Sequence, residues 1–153
     1  MAVVEIRRVV CPVDFSDFSR RALDYAVAIA RWYGSRLTVL HVHSVMMPSI
    51  AQLAGLAPGR MEALVLSPAD RKQLHEQLKG LTSAEALRDI PVEFSVAEGD
   101  VAAEQDSGLI VIGARGAGVV KRLFIGSTAE HVVRQAVCPV LACGQVAEKT
   151  LGT

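Results

Sequence analysis

Short apolar runs alternate with amphipathic stretches along most of this chain. Ile6 to Val13 (IRRVVCPV) is a compact run with β-branched residues and predicts a first strand. Asp14-Phe15-Ser16 ends it, and Ser16 or Asp17 can cap a following helix. From Phe18 to Tyr33 the apolar positions Ala22, Leu23, Ala26, Ile29, Ala30 and Tyr33 recur at helical spacing, and Gly34 stops the pattern. Trp32 and Tyr33 read as helix-packing or core residues. Arg36 to His43 (RLTVLHVH) predicts a second strand. Ser44 to Ser67 contains Pro48, Gly55, Pro58 and Gly59 and reads as a long loop. Pro68 suits a helix start, and a second helix is expected from about Ala69 to Leu87, with Leu74, Leu78 and Leu81 as its ridge.

Pro91 to Val96 predicts a third strand, and the fully apolar Leu109 to Ile112 a fourth, buried on both faces. A helix is expected from Gly126-Ser127-Thr128 to about Ala136, followed by a fifth strand from Pro139 to Ala142. Alternating strands and helices imply parallel pairing, so the expected fold class is α/β with a doubly wound five-stranded parallel sheet, flavodoxin- or Rossmann-like. Residues 1–146 are read as one domain and 147–153 as a frayed tail. One segment departs from the pattern. Ala97 to Gly108 holds room for two helical turns at most, whereas a parallel crossover needs a dozen or more residues, usually with a helix. Either a shortened helix is expected there, between strands 3 and 4, or the local connection is irregular.

Composition narrows the function classes. Of the 153 residues, 51% are apolar and 5% aromatic, which suits a buried sheet under Ala-rich helices. Lys plus Arg and Asp plus Glu each number 16, so no overall positive charge recruits nucleic acid, and little net repulsion opposes self-association. Cys11, Cys138 and Cys143 form no CxxC or Cys/His spacing and read as free thiols, not a zinc site. His41 and His43 read as strand histidines rather than metal ligands. No apolar run is long enough to span a membrane and Met1 to Arg8 lacks a signal-like stretch, so a cytoplasmic location is the default expectation.

The chemistry concentrates after strand 4, in Gly113-Ala-Arg-Gly116-Ala-Gly118 and Gly126-Ser127-Thr128. Glycines let backbone approach a ligand closely, and successive free N–H groups form an anion-binding nest. Gly126, Ser127 and Thr128 open a helix, whose N-terminus favours phosphate. Arg115, Lys121 and Arg122 add positive charge. The segment is neither a Walker loop, which needs Lys before the Ser or Thr, nor a dinucleotide fingerprint, which follows a first strand. A plain tight turn is the alternative reading. With strand order 3-2-1-4-5, the sheet reverses between strands 1 and 4, where ligands of such folds bind. Asp14 and Gly113 would then face one crevice. Asp14 can accept ribose hydroxyls, cap a helix, or do both.

Together these motifs resemble the universal stress protein family in its ATP-binding class. The family motif G-x2-G-x9-G-[ST] reads here Gly113-AR-Gly116-AGVVKRLFI-Gly126-Ser127 without mismatch. Pro12-Val13-Asp14-Phe15-Ser16, Leu40-His41-Val42 and Pro139-Val140-Leu141 are similar to the ends of the family's first, second and last strands. The resemblance implies that Asp14 contacts ribose or adenine, with Pro12 beside it. Val13 and Val42 would line the adenine pocket, and Ile112 and Gly113 would flank the ribose. Gly116, Gly126, Ser127 and Thr128 would hold the phosphates; Arg115 and Gly118, read from the glycine-rich run itself, complete the candidate binding residues. It further implies sheet order 3-2-1-4-5, ATP as ligand with or without Mg²⁺, and a homodimer through Val140, Leu141 and Ala142. Similar proteins carry a fuller helix before strand 4, so its shortening here is expected to expose the sheet beside that strand. The function implied is an adenine-nucleotide-binding stress or signalling module. The alternatives are a weak ATPase or phosphotransferase, with His131 as the best candidate base, and an interaction protein that keeps only the fold. No catalytic or metal residue is assigned.

Overall fold

The computed structural model describes residues 4–43, 66–98, 107–115 and 125–144. The elements are β1 (Arg8–Pro12), α1 (Asp17–Tyr33), β2 (Arg36–His43), α2 (Pro68–Lys79), β3 (Val92–Glu98), β4 (Leu109–Gly113), α3 (Ser127–Gln135) and β5 (Val140–Cys143). All strand pairings are parallel, in the order β3-β2-β1-β4-β5. The chain moves outward from β1 to β2 and β3, then returns to the other side of β1 for β4 and β5. Right-handed crossovers put α1 and α2 on one face of such a sheet and α3 on the other.

The core divides the same way. Val9, Cys11, Leu37, Val39, Leu109 and Val111 are buried with Ala22, Leu23, Ala26 and Ala30 of α1 and Leu78 of α2. Val10, Leu40, Ile110 and Ile112, the alternate strand positions, are buried with Ala129 and Val132 of α3. The exposure expected beside β4 is not found: these four strand residues are 5% exposed or less. The expected short helix before β4 falls largely on residues 99–106, outside the described residues, as do most of the loop after β2 and the tail.

Local chemistry sets the helix ends. Ser16 caps α1, its hydroxyl accepting from the Ser19 N–H at 3.2 Å, and Gly34 closes it in the left-handed region at φ 65. Half of the buried arc of α1 is alanine (Ala22, Ala26 and Ala30), which permits close packing. Trp32 lies on the opposite side of the helix and is 84% exposed, and Tyr33 at the last position is 53% exposed, so neither is a core residue. α2 ends at Lys79, eight residues earlier than expected. Gly80 ends it, and Ser83 then turns the chain by accepting from the Ala86 N–H at 3.1 Å. Leu81 and Leu87 still pack on the core from these turns, and Leu81 carries the apolar spacing of Leu74 and Leu78 past the helix. No helix among the described residues is long and apolar enough to cross a membrane.

Candidate functional site

The carboxyl ends of β1 and β4 meet at the reversal of strand order, where this topology leaves a crevice. Pro12 and Val13 are buried at the end of β1, and the Val13 N–H donates to the Leu40 carbonyl at 2.8 Å, carrying the ladder one residue past the strand. The β1–β2 register ends at Pro12↔Leu40, and beyond it the Asp14 N–H turns to the Ser19 hydroxyl at 3.4 Å, while half-buried Val42 lies two residues further along β2. Asp14 is exposed, and its Oδ1 accepts from the Ser16 N–H at 3.0 Å and from the Ser16 hydroxyl. The carboxylate therefore orients the residue that caps α1 while standing at the mouth of the crevice.

Between Asp14 and Ser16, Phe15 adopts φ 64, a left-handed conformation that side chains with a Cβ rarely take. Its ring lies 4.9 Å from the ring of His41. Nδ1 of His41 is 2.9 Å from the carbonyl oxygen of Val13. Reasoning from sequence did not single out His41 as a site residue. Strand alternation gives its face, but not the turn it meets.

On the other side, Ile112 and Gly113 are buried. A Cβ on Gly113 would lie 2.9 Å from the carbonyl carbon of Phe18, so this glycine lets the first turn of α1 rest on β4. Its role here is space, without a positive φ. The Ala114 N–H donates to the Cys143 carbonyl at 2.8 Å, and the Gly126 N–H donates to the Ala114 carbonyl at 2.7 Å. The last bond closes the two ends of the glycine-rich segment on each other. Gly126 is the N-cap of α3, at φ −61 and ψ 152, and supplies no capping side chain. Exposed Ser127 and Thr128 begin the helix beside the crevice. Helix N–H groups and dipole of this kind attract an anion. Arg115 is half-buried just past β4, and Gly116 and Gly118 lie outside the described residues.

The other candidates fall elsewhere. His131 is exposed on α3. Val140 is half-buried, and Leu141 and Ala142 are exposed, on β5 at one open edge of the sheet. The three thiols are free, with Cys11 and Cys143 buried and Cys138 half-buried. Burial pushes the Cys11 thiol up strongly, and nearby Cys143 and Asp24 add to this. Burial also raises Cys138 and Cys143. Among the described residues, no three His, Cys, Asp or Glu side chains gather as a metal site. A groove of about 400 Å³ lies away from the crevice, between α2 and β3, lined by Arg71, His75, Phe94 and Val96 among others. Arg71 spans it, bonded to the Val96 carbonyl at 2.7 Å and to Glu98 at 2.6 Å, so its charge is already neutralised.

Comparison with known proteins agrees with this architecture. The family model described as "Universal stress protein family" matches residues 5–144. A universal stress protein from Thermus aquaticus is 34% identical over 136 residues, covering 84% of this chain and 91% of the relative. The solved structure of UspA from Lactobacillus plantarum superposes with a TM-score of 0.71 at 26% identity, covering 91% of this chain and 98% of that one. A universal stress protein from Archaeoglobus fulgidus, solved in complex with dAMP, shares the fold at a TM-score of 0.51 and 20% identity, covering 92% of this chain and 99% of that one.

Proposed function

The chain belongs to the universal stress protein family, and from that premise we propose that it binds an adenine nucleotide, ATP first, in the crevice between β1 and β4. Asp14 accepts the ribose hydroxyls, with Pro12 beside it. Val13 and Val42 line the base, and Ile112 and Gly113 flank the sugar. The N–H groups and hydroxyls of Ser127 and Thr128 take the phosphates beside Gly126, whose own N–H is held by Ala114; Arg115, Gly116 and Gly118 join them, and with ATP a Mg²⁺ ion would offset the phosphate charge there. The observation that carries this reading is the 2.7 Å bond from Gly126 to Ala114. It sets an N-cap without a side chain at the end of β4, across the sheet reversal from a carboxylate at the end of β1. An anion site and a hydroxyl acceptor then face one gap, the pairing that a nucleotide requires.

The dAMP-bound relative from Archaeoglobus fulgidus supports the ligand class through a shared fold. In this reading the protein is a stress-response or signalling module. Occupancy changes the β4–α3 connection and so its contacts with partners, and a homodimer forms through Val140, Leu141 and Ala142 on the open edge of β5. Calorimetric titration with ATP, ADP and AMP tests the binding step, together with mass spectrometry of ligand released on denaturing purified protein. Measurable affinity for an adenine nucleotide is expected. Absence of affinity for all three up to millimolar concentration overturns the reading.

A further inference from the structure

We infer that His41 is a positioning residue for the crevice: it holds the β1–α1 turn in its left-handed conformation and so sets where Asp14 stands. Three observations converge on this. A carbonyl oxygen can only accept, so the 2.9 Å contact from His41 Nδ1 to Val13 makes Nδ1 the N–H donor and fixes the ring tautomer. Val13 is the last residue before Asp14, so the bond anchors the backbone on which the carboxylate is carried. The His41 ring also backs the Phe15 ring at 4.9 Å. Phe15 is one of only two non-glycine residues with positive φ among the described residues. A strained residue of this kind persists only where its surroundings over-determine it. Here those surroundings are the His41 ring behind it and the Asp14–Ser16–Ser19 chain of hydrogen bonds ahead of it.

His41 itself rises from β2, a strand fixed by β1 on one side and β3 on the other. The sheet therefore reaches through one imidazole to the turn that carries the carboxylate. The inference rests on the proposed function for what Asp14 contacts, but the organisation of the turn can be measured without any ligand.

The test has a ligand-free part and a ligand-bound part. Nitrogen NMR of the wild-type imidazole is expected to show a protonated Nδ1; an unprotonated Nδ1 overturns the inference. Amide hydrogen exchange at Ser16 and Ser19 is expected to rise about tenfold in His41→Ala, and to return close to wild type in His41→Asn, whose amide nitrogen takes the place of Nδ1. Affinity for ATP should fall about tenfold in His41→Ala and be largely rescued in His41→Asn. Unchanged exchange in His41→Ala overturns the inference. Altered exchange with unchanged affinity overturns it as well, because His41 would then only stabilise the fold. A wild-type protein that binds no adenine nucleotide removes the proposed function, while the tautomer and exchange results still decide whether His41 organises the turn.

Discussion

The β1 half of the crevice is held by side chains, whereas the β4 half is held by backbone. On the β1 side, Asp14, Ser16, Ser19 and His41 tie a strained turn to the start of α1 and to β2. On the β4 side, Gly113 contributes the absence of a side chain, and Gly126 contributes an N–H and a bare helix cap. The first arrangement holds a carboxylate in place. The second leaves N–H groups for a ligand to use. A nucleotide needs both, since its sugar is read by an acceptor and its phosphates by donors. The two halves should therefore respond differently to substitution.

The largest effect is expected where they touch. Gly113→Ala forces a methyl group against the Phe18 backbone and should cost about 1–3 kcal/mol in urea unfolding. A negligible cost would show that α1 can withdraw from β4 freely. Gly126→Asp separates binding from folding. Its carboxylate would cap α3 and cover the N–H groups proposed for the phosphates, so ATP affinity measured by calorimetry should fall about tenfold, or about 1.4 kcal/mol. Unfolding stability should stay level or rise by a few tenths of a kcal/mol. Equal losses in both measurements would make the β4 half structural like its counterpart. Ser16→Ala removes the cap of α1 and should cost about 1 kcal/mol of stability, read as a lower urea midpoint with unchanged slope.

The smallest effect lies beneath the crevice, at Cys11. Its folded thiol is held protonated by burial, while the unfolded thiol ionises near pH 8.5. The contribution of Cys11 to stability is therefore full below about pH 8.5 and declines as pH rises from there toward the raised folded value. Cys11→Ala should flatten that alkaline decline by less than about 1 kcal/mol at pH 9, measured as unfolding free energy across a pH series. An unchanged alkaline slope in the variant would show that Cys11 ionises as readily in the fold as outside it.

Much of this was legible in the chain itself. Apolar runs bounded by Gly, Pro and Ser marked all five strands, and the glycine motif pointed to strand order 3-2-1-4-5 through family resemblance. Gly126-Ser127-Thr128 was readable as a helix start, and α3 begins there. Other features depend on tertiary contact. Leu81 keeps helical spacing with Leu74 and Leu78 yet packs from a turn, because burial constrains side-chain direction more than backbone type. Trp32 looked like a core or helix-packing residue by type, but the arc of α1 that meets the sheet is filled by Ser19, Leu23, Val27 and three alanines. Phe15 carries no local sign of its positive φ, since neither Gly nor Asn occupies the position. The importance of His41 depends on that same turn, 28 residues away in sequence, and no local pattern encodes such a contact.

The position of Trp32 has an optical consequence. It is the single tryptophan of the chain and sits at the end of α1 remote from Ser16, roughly 22 Å along the helix axis from the crevice. Its indole meets water in the folded protein and would do so in the unfolded chain as well. Its emission maximum should therefore shift little on denaturation and little on nucleotide addition, which makes it a fixed wavelength reference. A tryptophan introduced at the half-buried Val42, paired with Trp32→Phe, would move the fluorophore beside the crevice and turn the same measurement into a reporter of occupancy.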